Sequence, residues 1–395
     1  VSASASPPAS RLHFLDGLRG ILMFCGIPYH AALALSGGWW IVSSDTDSPG
    51  MHVIAQFLGI WRMPTFFIIA GFFALLVLRR RGANQWFRGR LVRVGLPLLF
   101  GLATVVPVQW FIAGFYESGS LTGAMSFAAD RLATPSGWWL LHLWFLLALL
   151  AYSFVLWVVA TVRPVGAVAG RTIRAAGDAV ERHPMLAISV YMVFTAAAVI
   201  AGNWLWDVVG GDQFAGGLIP PVVVRYAPLF VLGCILASRP RGLAVFLQVP
   251  LWLTLGLGFA SFGVLLGIPY LELGTLAPAV GELALAVGAI AFASALFRVA
   301  ERVIRRPSSV VDWIVDSSLV VYLVHQPVIA LIAPPIEAST PSTAIAWVTI
   351  IALTSIISIA LYELINATPG VRFLATGMRS RGRSVFGLTA ATPRQ

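Results

Sequence analysis

The sequence predicts an all-α, polytopic membrane protein of about ten transmembrane helices, with both termini in the cytoplasm. Three observations predict it. Of 395 residues, 58% are hydrophobic and only 11% are charged, where a soluble chain would carry about 25%. Apolar runs of about 20 residues, the length a membrane-spanning helix needs, recur from end to end. The basic residues, all of them Arg, gather in alternate loops between those runs.

The expected spans are 13–36, 54–78, 94–115, 137–161, 184–207, 219–238, 243–267, 271–297, 311–334 and 342–365. Lipid cannot hydrogen-bond a bare backbone, so each is read as a helix. The loop after the second span holds Arg79, Arg80, Arg81, Arg88, Arg90 and Arg93, and the loop after the fourth holds Arg163, Arg171, Arg174 and Arg182. Arg239 and Arg241 follow the sixth span, and Arg298, Arg302, Arg305 and Arg306 follow the eighth. The tail is Arg-rich from Arg372, whereas the opposite loops hold little beyond Arg131. Positively charged loops stay cytoplasmic, which sets the orientation. Residues 1–10 read as a small, polar lead-in, 11–375 as the membrane domain and 376–395 as a basic cytoplasmic tail. The first apolar run is too long, and too interrupted by Asp16 and Arg19, for a cleavable signal peptide.

Composition also narrows the function. A net charge of +10 does not point to nucleic acid here, because the arginines lie in short loops between spans. Cys25 and Cys234 sit in apolar runs and offer no disulfide framework or metal-ligand spacing, so no metal site is expected. The chain has no Lys to form a Schiff base. Trp39, Trp40, Trp138, Trp139, Trp204 and Trp206 crowd the outer boundary, either as an interfacial belt or as stacking surfaces for sugar rings.

Arg19 and His30 share the first run with ten residues between them. On a helix, eleven steps of about 100° come to roughly three turns, so the two share a face about 16 Å apart. Polar groups at such depth are costly and mark function by default; the plainer reading is a snorkelling Arg and a packing His. Arg62, His142, Arg225, Tyr322 and His325 fall at a depth similar to that of His30, on four further spans. Toward the cytoplasm lie Asp16, Arg19, Arg90, Arg93, Asp312, Asp316 and Glu363. Arg90 and Arg93, three apart, share a helical face and suit phosphate binding, or else serve as ordinary membrane anchors. Asp16 and Glu363 are expected in structural ion pairs with arginines, since a buried lone carboxylate is expensive.

The blocks FLDGLRGILMFCGIPYH, WRMPTFFIIAGFFALLVLRRRG, RLVRVGLP, HLWFLLALL, SSLVVYLVHQP and LYELI resemble, in order and spacing, the acyltransferase-3 family of integral membrane acyltransferases. The likeness covers roughly 11–375 and is strongest to the branch that succinylates periplasmic glucans. It implies an acyl-CoA co-substrate (succinyl-CoA favoured, acetyl-CoA the alternative), no tightly bound cofactor and an extracytoplasmic glucan or glycan acceptor. It further implies a bacterial inner-membrane location beside glucan-synthesis proteins. His30 is then the general base, with Arg62, His325 and Tyr322 as catalytic companions among which the oxyanion donor stays open. Arg19, Arg90 and Arg93 would hold the donor's phosphates, and His142, Trp144, Arg225 and Trp39 the acceptor. Gln326 after His325 departs from the family pattern. A transporter of a glycan or glycolipid is the rival reading, although no internal repeat is visible; a scaffold for glucan synthesis is a third.

Overall fold

The computed structural model describes residues 12–38, 40–44, 47–133, 139–208 and 222–385. The expected lead-in at 1–10, and Trp39 and Trp138, lie outside the described residues. Among the described residues every regular element is helical. Eight helices among the described residues are long and apolar enough to cross a membrane alone, nine if one bent pair counts as a span.

The first expected span is broken into α1 (His13–Phe24) and α2 (Gly26–Ala34). The ring of Pro28 crowds the carbonyl of residue i−4, Phe24, and removes the donor it would have had, which favours a break in this turn. Cys25 forms the joint, its N–H still bonded to the Ile21 carbonyl at 2.9 Å. α3 (Pro49–Arg81) is the most buried of the eight candidate spans, and α4 (Ala83–Arg90) leads through a π-helical turn, Leu91–Gly95, into α5 (Leu96–Ser118). α6 (Leu121–Ala133) returns across α5, and a short 3-10 turn at Leu141–Leu143 opens α7 (Trp144–Thr161).

The Arg-bearing loop after α7 is itself a helix, α8 (Arg163–Arg182), which presents Gly177 and Val180 to the protein. It is followed by α9 (Pro184–Val208), α10 (Val222–Ser238) and α11 (Gly242–Gln248). The sequence predicts one span over 243–267, but α11 turns 110° away from α10, and the span itself begins after Pro250 as α12 (Leu251–Gly267). α13 (Ala277–Val303), α14 (Ser309–Ser339), α15 (Thr343–Ala367) and the short α16 (Pro369–Thr376) complete the bundle.

α3 and α10 cross where Gly71 meets Gly233. A Cβ on Gly71 would lie 1.8 Å from the Phe230 carbonyl oxygen, and one on Gly233 would lie 2.0 Å from that of Ile68. Without a hydrophobic force between helices in lipid, such close backbone packing supplies much of the attraction. Asp312 pairs with Arg383 at 3.1 Å, and Asp316 accepts the Arg383 N–H at 2.9 Å, so the start of the expected basic tail is held against α14 and α15.

Candidate functional site

Prolines in α14 shape the polar layer. Pro327 has no N–H, which leaves the carbonyl of Leu323 without its helical donor. His142 supplies one: its Nε2 lies 3.2 Å from that oxygen. The Tyr322 hydroxyl in turn donates to the His142 carbonyl, so α14 grips His142 by ring and backbone. Leu141, the residue before it, holds φ 41°, a left-handed conformation that costs a branched side chain energy. Pro335 acts likewise, and the Tyr116 hydroxyl donates to the freed Leu331 carbonyl at 2.6 Å.

His325 lies deeper still, 1% exposed, with Nδ1 2.7 Å from the Tyr322 carbonyl and 3.1 Å from that of Val321. Carbonyls only accept, so Nδ1 carries the hydrogen and Nε2 of the neutral ring holds a lone pair. That Nε2 is buried and has no hydrogen-bond partner. The His325 ring centroid stands 5.1 Å from that of His30 and 5.6 Å from that of His142. His30 packs edge-on to Tyr29 at 4.8 Å.

Arg62 completes the layer. It is 7% exposed, lies over the Tyr29 ring at 4.5 Å and, among the described residues, pairs with no acidic side chain. Its Nε is buried without a partner. Gly26 lets the backbone of α2 lie close against both Arg62 and His325: a Cβ there would stand 3.3 Å from Arg62 Nη1 and from His325 Nε2. Burying a cation without a counter-charge is expensive. Such a group, beside the free lone pair of His325 Nε2, suits an incoming oxygen.

Two further residues belong here: Gln326, noted in the sequence only as a departure after His325, and Gln109, which charge and motif do not single out. Gln326 Nε2 lies 3.0 Å from His30 Nδ1 and 3.2 Å from Nε2, and Gln109 Nε2 donates to Gln326 Oε1 at 3.1 Å. Gln109 is fully buried and Gln326 nearly so. A lone amide in the run LATVVPVQWFIAGF is the same kind of signal as a lone His, and that signal locates Gln109.

The second layer assembles at the other end of the first helix pair. Arg19 and Arg93 are the charged neighbours of Arg90. Arg90 Nε donates to the buried Ser153 hydroxyl at 3.1 Å, while Arg93 is exposed. The π-helical turn carries Arg93, so the two do not share a face as an α-helix would arrange them; one guanidinium is tethered inward and the other meets solvent. π turns are frequent at functional sites. Arg19 pairs with Asp16 at 3.4 Å. Glu363 instead accepts the Val385 N–H at 2.6 Å and ties down the tail; no arginine pairs with it among the described residues.

Trp144 and Arg225 stand behind this centre. Trp144 and Phe67 stack on Tyr226 at 5.7 and 4.9 Å. Arg225 is paired with Glu282 at 2.6 Å beside a cavity of about 60 Å³ that Tyr226 also lines. The structure thus brings together His30, Arg62, His142, Tyr322 and His325, and separately Arg19, Arg90 and Arg93. Trp39 lies outside the described residues.

The family profile described as an acyltransferase domain matches residues 12–363. Among curated proteins, the chain is similar to "Glucans biosynthesis protein C" of Salmonella gallinarum, 26% identical over 386 residues, which covers 97% of this chain and 100% of that protein. It is also similar to the protein of the same name from Escherichia coli O139:H28, 24% identical over 374 residues, or 94% of this chain and 95% of the relative. No solved structure matches the chain. The match spans both polar layers and nearly every helix, and the chain belongs to the acyltransferase-3 family of membrane acyltransferases.

Proposed function

We propose that this protein transfers an acyl group from cytoplasmic acyl-CoA to a hydroxyl of an extracytoplasmic glucan or related glycan, across a bacterial inner membrane. Succinyl is the favoured acyl group and acetyl the alternative. The names of its relatives support the acceptor class. The observation that carries the reading is the pairing of two layers on one broken helix: the Arg19, Arg90 and Arg93 cluster at one end, and His30, His325 and Arg62 at the other. On this reading the first layer is cytoplasmic, the side on which Arg-rich loops are retained. There the phosphates of coenzyme A stay with the guanidiniums, whose forks fit them, and the long neutral arm carries the thioester inward.

In the transfer, the acceptor oxygen attacks the thioester carbonyl while its proton passes to His30. The tetrahedral oxyanion collapses, the carbon–sulfur bond breaks, and the thiolate recovers the proton from His30. Imidazole suits both steps because its ordinary pKa is about 6.5. Hydrogen-bond accounting supports Arg62 as the oxyanion donor. Tyr322 spends its proton on the His142 carbonyl and His325 its Nδ1–H on backbone carbonyls. Neutral His325 presents an acceptor at Nε2, whereas Arg62 retains N–H groups beside Gly26.

Purified His30→Ala protein, supplied with succinyl-CoA or acetyl-CoA and a glucan acceptor, should lose about 100- to 10,000-fold in transfer while eluting and melting like the parent. Turnover near the parent's overturns the base assignment. Absence of transfer by the parent with either donor overturns the reaction itself.

A further inference from the structure

We propose that Gln326, held by Gln109, is a positioning residue that sets which nitrogen of His30 works as the base. This rests on the reading of His30 given above. The amide of Gln326 sits 3.0 and 3.2 Å from the two ring nitrogens of His30, and its other end meets Gln109 at 3.1 Å. The three residues come from α2, α5 and α14, so the chain of amides is a tertiary feature and not a by-product of one helix. Imidazole in a water-poor site cannot choose its tautomer from solvent; the partner of one nitrogen decides what the other can do.

An amide has two ends of nearly equal shape and opposite hydrogen-bonding sense. With Nε2 toward His30, Gln326 offers its N–H to whichever ring nitrogen holds the lone pair, both being within nearly equal reach. With both amides turned over, Gln326 Oε1 accepts the ring N–H and the lone pair of the other nitrogen faces the acceptor hydroxyl. The first sense caps the base; the second arms it. The remaining groups that face His30 are Tyr29, His325, Arg62 and His142. None is a carboxylate, so among these neighbours no group plays the part an Asp plays behind a catalytic His. Gln326 supplies the neutral equivalent.

The test compares Gln326→Leu, Gln326→Glu, Gln109→Leu and the Gln109→Leu/Gln326→Leu pair with the parent and His30→Ala. Rates are followed across pH with saturating acyl-CoA, and melting temperatures are measured alongside. Gln326→Leu should lower kcat by about 10- to 100-fold, the usual range for partners that orient an imidazole in a metal site, with KM for both substrates little changed. Gln326→Glu offers the ring only acceptor oxygens when ionised; it should restore much of the rate and move the acidic limb of the kcat profile upward.

Gln326→Leu alone leaves Gln109 unpartnered in an apolar site, whereas the double variant removes both amides and should melt closer to the parent. Its kcat should nonetheless match that of Gln326→Leu, the non-additivity expected of residues acting as one unit. A kcat that recovers along with the melting temperature makes the amides purely structural and overturns the proposal. So does an unmoved pH profile in Gln326→Glu. A parent enzyme that transfers normally, beside Gln326 variants that do the same, sinks the positioning role and leaves the acyltransferase reading standing.

Discussion

In the arginine layer the protein satisfies most of its own charges, whereas in the histidine layer several polar atoms are left over. Arg19 has Asp16, Arg90 has Ser153, and Arg79 donates to the carbonyls of Ala237 and Ser238. Arg62 has an aromatic face and no acid among the described residues, and His325 Nε2 is buried without a partner. Surface charges meet a ligand by exchanging water, at little standing cost. A buried layer cannot, so an unpaired group there is paid for in stability and recovered only when substrate or transition state arrives. The contrast separates binding from chemistry: the first layer should set donor affinity and the second turnover.

The largest expected break in that contrast is Arg62→Gln. Loss of an oxyanion donor costs on the order of 100- to 1,000-fold in kcat, and donor binding by calorimetry should stay within about twofold of the parent. A kcat that falls no more than donor affinity does would merge the two layers into one binding site. Next is Gly26→Ala. Ala is the better helix former by about 1 kcal/mol in a helix interior, which offsets part of the crowding, so the variant should still fold. Its methyl sits 3.3 Å from Arg62 Nη1 and His325 Nε2, and displacement of the reacting atoms should cost about 100-fold in turnover. Turnover that rises with the melting temperature would remove Gly26 from the site.

Arg90→Ala with Arg93→Ala tests the other layer. Hydrogen bonds to charged groups are worth about 1.5–3 kcal/mol each, so acyl-CoA binding should weaken by about 10-fold or more at low salt, more than kcat at saturation does. Donor titrations that are unchanged exclude these arginines from the phosphate site. The smallest effect is expected at Ser153→Ala, which frees Arg90 Nε; about 1 kcal/mol, or roughly fivefold in donor affinity, should be visible in the same titration.

Much of this architecture was legible because hydropathy and arginine placement report directly on lipid. The apolar runs are helices, and His30, Arg62, His142 and His325 stood out as polar residues where lipid penalises them. Hydropathy does not encode chain direction, so the fold-back at α11 and the joint at Cys25 were missed. The local signals were Pro28, and Pro250 after Arg239-Pro-Arg-Gly. The loop arginines of α8 hid an amphipathic helix because they were counted for charge and not for spacing. Gln109 and Gln326 carry no charge and lie 217 residues apart; their meeting is a property of packing alone. Glu363 failed for a related reason, since its partner is a backbone N–H in the tail.

The joint at Cys25 has a consequence for how such a helix tolerates change. In an unbroken helix, losing one residue between Arg19 and His30 would swing one side chain about 100° around the axis relative to the other. At Cys25 the regular ladder is interrupted, although the residue keeps right-handed dihedrals and its bond to Ile21. The run is therefore two short helices, and the strict phase of a single one does not bind them. A change around Arg19 can then be absorbed at the joint with less effect on how His30 faces Gln326 and His325. The first span is thus two short helices sharing one joint.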